Sequence, residues 1–219
     1  MAYCCVPVKR LKNAKSRLAS ILDEEQRARL SLTMLEDVLD SLILTNIKKI
    51  FVVCSDKKVK EIALSYSAEV VGEPEKVMNS RVNAAFAKVQ EVCNKDNVGS
   101  ILYIPADVPL IVPNDVNFIL SMAKERRCVV IAPSREADGT NALLLKPCNV
   151  IKTWFDMNSF ENHVKEAKKG KIALHFFLSK SISLDIDTIE DLRLFMSKES
   201  DTKTYRLLVK ILGKDFSKG

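Results

Sequence analysis

Strand-like and helix-like segments take turns along this chain, and that alternation restricts the fold more than any other feature. Short apolar runs occur at 2–8 ("AYCCVPV"), 47–55, 68–72, 100–107 ("SILYIPAD"), 128–134, 140–146 ("TNALLLK"), 172–178 and 182–187 ("ISLDID"). Between them lie segments with apolar residues at helical spacing: 23–43, 57–67, 80–94, 113–126, 159–170, 188–198 and 202–213. Such an alternation predicts an α/β chain whose mostly parallel sheet carries helices in layers on both faces. Asp23 with Gln26, and Thr188 with Asp191, have the spacing of a helix-starting capping box. Pro113 suits a first helical turn, and Gly170 suits a helix end. With 219 residues and no linker, repeat or low-complexity stretch, one domain over 1–219 is expected.

In an open parallel sheet, ligands bind beyond the carboxyl ends of the strands. Polar residues just after strands therefore decide the function. The first such place is "VPVKRLKNAKSRLA", where Lys9, Arg10, Lys12, Lys15 and Arg17 follow the first strand without an acidic residue among them. Loops that hold phosphate commonly use glycine so that backbone N–H groups can close on oxygen. The six glycines of this chain begin only at Gly72, so a phosphate site here must work through side-chain charge. Lysine then acts as a point charge and arginine as a two-pronged donor.

Carboxylates follow two further runs: Asp107 in "YIPADVPL", and Asp185 with Asp187 in "SLDIDT". Hard oxygen ligands of this kind suit Mg²⁺, which takes one or two carboxylates and completes its shell with phosphate oxygens and water. The spacing does not choose between Asp185 and Asp187. Thr140 and Asn141, after the turn at Gly139, offer a hydroxyl and an amide at the start of a strand. Ser159 stands at a helix N-terminus, which favours anions, and His163 lies one turn on along the same face. Asn83, beside Arg81 early in an apolar helix, has an amide able to read a base edge.

The net charge of +6 fits phosphorylated small molecules as well as nucleic acid. Aromatic residues are few, no basic stripe interleaves with them, and no nucleic acid partner is expected. No apolar run is long enough to span a bilayer, and the first residues lack a signal-peptide layout, so a cytoplasmic protein is expected. The six cysteines are scattered through apolar segments and read as buried thiols. Neither His163 nor His175 stands at ligand spacing from a cysteine, which argues against zinc.

Taken together, "VPVKRLKNAKSRLA", "DEEQRARL", "ADVPL", "DGTNALLLKP", "SFENHVKEA" and "LDIDTIEDL" resemble, in this order, the 2-phospho-L-lactate guanylyltransferase (CofC) family. The resemblance spans about Pro7 to Leu192. It implies a MobA-like nucleotidyltransferase fold: a single three-layer α/β/α domain, Rossmann-like, with a mostly parallel sheet. The implied reaction joins GMP from GTP to 2-phospho-L-lactate, or in some relatives to phosphoenolpyruvate, and releases pyrophosphate on the way to the deazaflavin coenzyme F(420). The resemblance implies Lys9, Lys15 and Arg17 on the triphosphate, and Asn83 near the nucleotide. It implies Mg²⁺ on Asp107 with Asp185 or Asp187, and Thr140 and Ser159 on the acceptor. Arg10 and Lys12 are expected to face solvent, and a homodimer is compatible with this reading. The chain departs from the family at Asp156, near a position where a glycine is frequent. Two other classes compete: a sugar transferase of related fold, and a basic nucleic-acid-binding module.

Overall fold

The computed structural model describes residues 1–73 and 81–218. Ser80, the expected first residue of the third helix, lies outside the described residues. Among the described residues seven strands form one sheet: β1 (Ala2–Pro7), β2 (Ile47–Cys54), β3 (Glu69–Gly72), β4 (Ser100–Tyr103), β5 (Cys128–Pro133), β6 (Thr140–Lys146) and β7 (Ala173–Phe176). Their order across the sheet is β3-β2-β1-β4-β6-β5-β7. Neighbours pair in parallel except at β6, which runs antiparallel to both β4 and β5. The reversal has a local cause: β5 returns directly as β6 through a short turn that closes with Ser134. Its backbone N–H donates to Gly139 O (2.9 Å), and its hydroxyl accepts from Gly139 N (2.8 Å).

Side chains of a strand alternate between its two faces. In β1, Cys4 and Val6 enter one core while Tyr3 and Cys5 enter the other. The same split divides Leu144 from Leu143 and Leu145 in β6. Three helices cover the first face: α1 (Glu24–Leu42), α2 (Lys57–Ser65) and α4 (Pro113–Met122). The second face takes α3 (Arg81–Lys95) and α5 (Ser159–Lys169). Those are the three layers expected from the sequence. Strands buried on both faces read as near-continuous apolar runs, as these do.

A third cluster lies beyond the sheet. Leu18 and Leu22, before α1, pack with Leu30 and Met34 of α1 against Leu184, Ile186, Leu192, Phe195 and Leu208. The last three come from α6 (Ile189–Met196) and α7 (Lys203–Leu212). The long first helix therefore has two apolar stripes, one for the sheet and one for the end of the chain. Both expected capping boxes form, Asp23 with Gln26 and Thr188 with Asp191.

Two expectations need correction. "ISLDID" is not a strand: residues 182–187 are extended but make isolated backbone bonds, such as Ile186 N to Asp107 O (3.1 Å), and no ladder. This segment crosses the strand ends instead of joining the sheet edge. "SILYIPAD" leaves the sheet at Tyr103, shortly before Pro105, which has no N–H to donate. Asp107 is thereby delivered on a turn.

All six cysteines are buried and free. At the sheet end opposite the C-terminal strand ends, Glu125, Cys128 and His175 meet, with candidate ligand atoms within 4.8 Å of one another. Sequence spacing gave no sign of this pairing. His175 Nε2 lies 3.0 Å from Glu125 Oε2, and burial pushes the Cys128 thiol up to about 11.

Candidate active site

A cleft of about 760 Å³ opens at the C-terminal ends of β1 and β4. Lys9, Arg10, Lys12, Lys15 and Arg17 line one side of it. Asp107, Asp185 and Asp187 line its floor beside Tyr103, and Thr140, Asn141, Phe155, Asp156 and Ser159 are also in the lining, as are Glu73 and Arg81. Eight of the nine residues singled out for binding or catalysis are thus brought together. The ninth, Asn83, is not in the cleft lining; its Oδ1 accepts the backbone N–H of Phe155 (3.0 Å) and so holds a residue that is. Arg10 and Lys12 are exposed, yet both belong to the lining instead of facing bulk solvent alone.

The basic loop keeps its shape without glycine. Asn13 (φ 65°) and Lys15 (φ 48°) take the left-handed conformation that glycine supplies elsewhere. Asparagine tolerates it well; lysine does so at a cost on the order of 1 kcal/mol. The loop is fastened from below by buried Val8, Leu11 and Leu18. The Leu11 N–H donates to Asp56 (3.1 Å). From α1, Arg27 donates to Ala14 O (3.1 Å) and to Leu22 O (2.7 Å).

That twist sends Lys15 across the cleft floor. Its Nζ lies 2.6 Å from Asp107 Oδ2 and 2.6 Å from Asp187 Oδ1, with 9 % of the side chain exposed. Burial disfavours the ammonium, but the two carboxylates outweigh it and raise the Lys15 pKa above the usual lysine value. Burial likewise opposes the Asp187 carboxylate, and Lys15, with help from Lys9 and Arg17, brings its pKa below the ordinary value. Among the described residues no cation pairs with Asp185. Burial first, then the charge of Asp107, pushes it up to about 6. Its Oδ1 accepts from Asn141 Nδ2 (2.9 Å), which also donates to the carbonyls of Ile182 (3.0 Å) and Ser183 (3.2 Å). Asn141 is the residue that sequence reasoning undervalued: it ties the aspartate-bearing segment to β6.

Asp107, Asp185 and Asp187 face one cleft, and burial beside a like charge forces Asp185 toward its neutral form. Their hard oxygens are the donor type that Mg²⁺ takes, and Lys15 already sets a built-in positive charge between Asp107 and Asp187.

At another wall of the cleft, α5 begins at Ser159 after Asn158, whose backbone is left-handed (φ 57°). Ser159 Oγ lies 3.2 Å from Thr140 Oγ1, and both are buried at the cleft wall. Asp156 lines the cleft here, where the family resemblance places a glycine. Among the described residues no helix is long and apolar enough to cross a membrane.

Known proteins share this fold. A structure from Desulfovibrio desulfuricans named as a candidate nucleotide-diphospho-sugar transferase superposes with a TM-score of 0.76 at 15% identity, covering 99% of this chain and 96% of that one. A nucleotidyl transferase from Methanothermobacter gives 0.65 at 13% identity, covering 89% and 95%. These establish the fold. In sequence, a phosphoenolpyruvate guanylyltransferase of Rubrobacter xylanophilus is 35% identical over 190 residues, 87% of this chain and 91% of the relative. A 2-phospho-L-lactate guanylyltransferase of Methanocaldococcus jannaschii is 34% identical over 211 residues, 96% and 88%. The family model described as "Guanylyl transferase CofC like" matches residues 2–217. With that span and those relatives, the chain belongs to the CofC-like guanylyl transferase family.

Proposed function

We propose that the protein transfers GMP from GTP to 2-phospho-L-lactate, giving lactyl-2-diphospho-5'-guanosine and pyrophosphate in deazaflavin coenzyme biosynthesis. The observation that carries this is a cleft that brings the five cations of the basic loop and Arg81 together with five carboxylates, Glu73 and Asp156 among them, and the buried hydroxyls of Thr140 and Ser159. Such a set suits two polyanions that must meet, and no nucleic acid partner is needed to explain the charge.

The acceptor phosphate, with a second pKa near ~6, is mostly dianionic at neutral pH and attacks without a general base. One of its oxygens forms a bond to the α-phosphorus of GTP. The bond from that phosphorus to the bridging oxygen breaks, and pyrophosphate leaves with the electron pair. The obstacle is repulsion, about 4 kcal/mol for each unit-charge pair ~4 Å apart at an effective dielectric of ~20. Lys9, Lys15 and Arg17 offset it on the triphosphate side, and Thr140 and Ser159 orient the acceptor. Asp107, with Asp185 or Asp187, would hold Mg²⁺, which shields phosphate oxygens and stabilises charge on the departing pyrophosphate. The residues otherwise act by positioning and fixed charge.

Phosphoenolpyruvate is the second acceptor to test, because relatives of similar identity carry names for either one. Pyrophosphate release is measured with each nucleoside triphosphate, each acceptor and Mg²⁺. Turnover with GTP and phospholactate is expected, and Asp107→Asn should abolish most of it while leaving the fold intact. Transfer of a sugar from an added nucleotide-sugar donor to an acceptor with release of nucleoside diphosphate, or salt-sensitive duplex binding without turnover, would replace the proposal.

A further inference from the structure

Behind the acceptor wall lies a fully buried histidine that the reaction as written does not use. His163 is 0% exposed, and its two ring nitrogens have different partners. Nε2 lies 2.9 Å from the backbone N of Trp154, and Nδ1 lies 3.1 Å from Thr140 Oγ1. A backbone N–H can only donate, so Nε2 is the nitrogen with the lone pair. Burial pushes His163 down to about 4, so at neutral pH the ring carries one proton. That proton is on Nδ1 and is donated to Thr140.

The consequence is a count of protons. Thr140 and Ser159 have one hydroxyl proton each, and their oxygens lie 3.2 Å apart. One proton is spent between the two. The other would turn to His163 if the ring offered a lone pair there, but the ring offers a proton. One hydroxyl proton of the pair is therefore left over, on side chains that line the cleft. An anionic oxygen accepts hydrogen bonds and gives none.

We propose that His163 is a positioning residue that commits the Thr140–Ser159 hydroxyl pair to donating a hydrogen bond to the anionic acceptor substrate. It acts together with Asn83 from behind the same wall. His163 holds the N–H of Trp154, Asn83 holds that of Phe155 (3.0 Å), and the Phe155 ring meets the imidazole edge-on at 4.9 Å between centroids. The stretch leading to Asp156 is thus pinned at two successive peptides. This inference rests on Thr140 and Ser159 holding the acceptor.

Two substitutions separate the two ends of the ring. The amide of asparagine reaches about as far as Nδ1, and that of glutamine about as far as Nε2. His163→Asn keeps a donor for Thr140, and His163→Gln keeps an acceptor for Trp154. His163→Gln should raise the KM for the acceptor about tenfold with the KM for GTP unchanged, while His163→Asn raises it less. On a Thr140→Val background, His163→Gln should add nothing further. The inference is overturned if the two KM values rise together, if both variants behave alike, or if the effect persists without the Thr140 hydroxyl. If Thr140→Val alone leaves the acceptor KM untouched, the acceptor assignment fails and the inference falls with it. If it raises that KM while His163→Gln does not, only the inference falls. An NMR measurement on the unaltered protein needs no variant to fold: the ring nitrogen shifts of His163 should show the proton on Nδ1 at neutral pH. A proton on Nε2 refutes the inference outright.

Discussion

Lys15 carries more of this site than any other residue. It stands on a left-handed backbone, bridges two carboxylates and lines the cleft where a triphosphate would lie. Removing one member of such a group leaves the remaining charges uncompensated. Lys15→Ala should therefore lower the melting temperature in metal-free buffer, with part of the loss recovered on adding Mg²⁺, in a thermal denaturation series. Turnover should fall at least about tenfold, since a transition-state charge contact is lost. A different expectation attaches to Asp156, whose carboxylate shares the cleft with Ser159. Asp156→Gly should lower the KM for the acceptor severalfold, because a like charge leaves the wall; steady-state kinetics at fixed GTP decide it. The sequence alone disclosed Lys15 as a cation after a strand and Asp187 as a carboxylate near a helix cap. That they touch was not legible, because nothing in local pattern reports a contact between residues 172 positions apart.

Elements were read more reliably than contacts, for a physical reason. Capping boxes, a proline in a first turn and helical spacing are short-range chemistry, and Asp23, Thr188 and Pro113 behave as their neighbours dictate. "ISLDID" misled because an extended, alternating segment looks the same whether it joins a sheet or crosses its strand ends. Asn83 was harder to read for a similar reason: a polar residue early in an apolar helix signals a partner without saying which, and one partner is the Phe155 backbone. The basic loop is an element in its own right, tied to α1 by Arg27, which donates to Ala14 O in the loop and to Leu22 O just after it. Arg27→Ala should cost about 2 kcal/mol of stability, the scale of charge-assisted hydrogen bonds. It should also raise the KM for GTP more than that for the acceptor. Chemical denaturation and kinetics on the same preparation test both.

At the scale of the molecule, the buried imidazole links stability to pH. Its pKa falls from 6.5 to about 4 on folding, so the unfolded chain binds the extra proton first. This contribution is complete above about pH 6.5, shrinks as pH drops toward 4 and is gone below it; its full size is about 3 kcal/mol. Asp185, pushed the other way to about 6, has the opposite slope in part of that window. Comparing denaturation of the unaltered protein with that of His163→Gln from pH 7 to 4 isolates the histidine, and the variant should show the shallower loss on acidification.

The third cluster, where Leu18 and Leu22 pack against Leu184, Ile186, Phe195 and Leu208, has a further consequence for how the protein is made. The lysine loop leaves the ribosome well before residues 184–208, against which its Leu18 end packs. Most of the sheet can form while that end still lacks these partners, with Val8, Leu11 and Arg27 already fastening the rest. Nucleotide binding should therefore strengthen once α6 and α7 have been made. Nascent chains arrested before α6 would hold a largely folded body and a weaker grip on nucleotide.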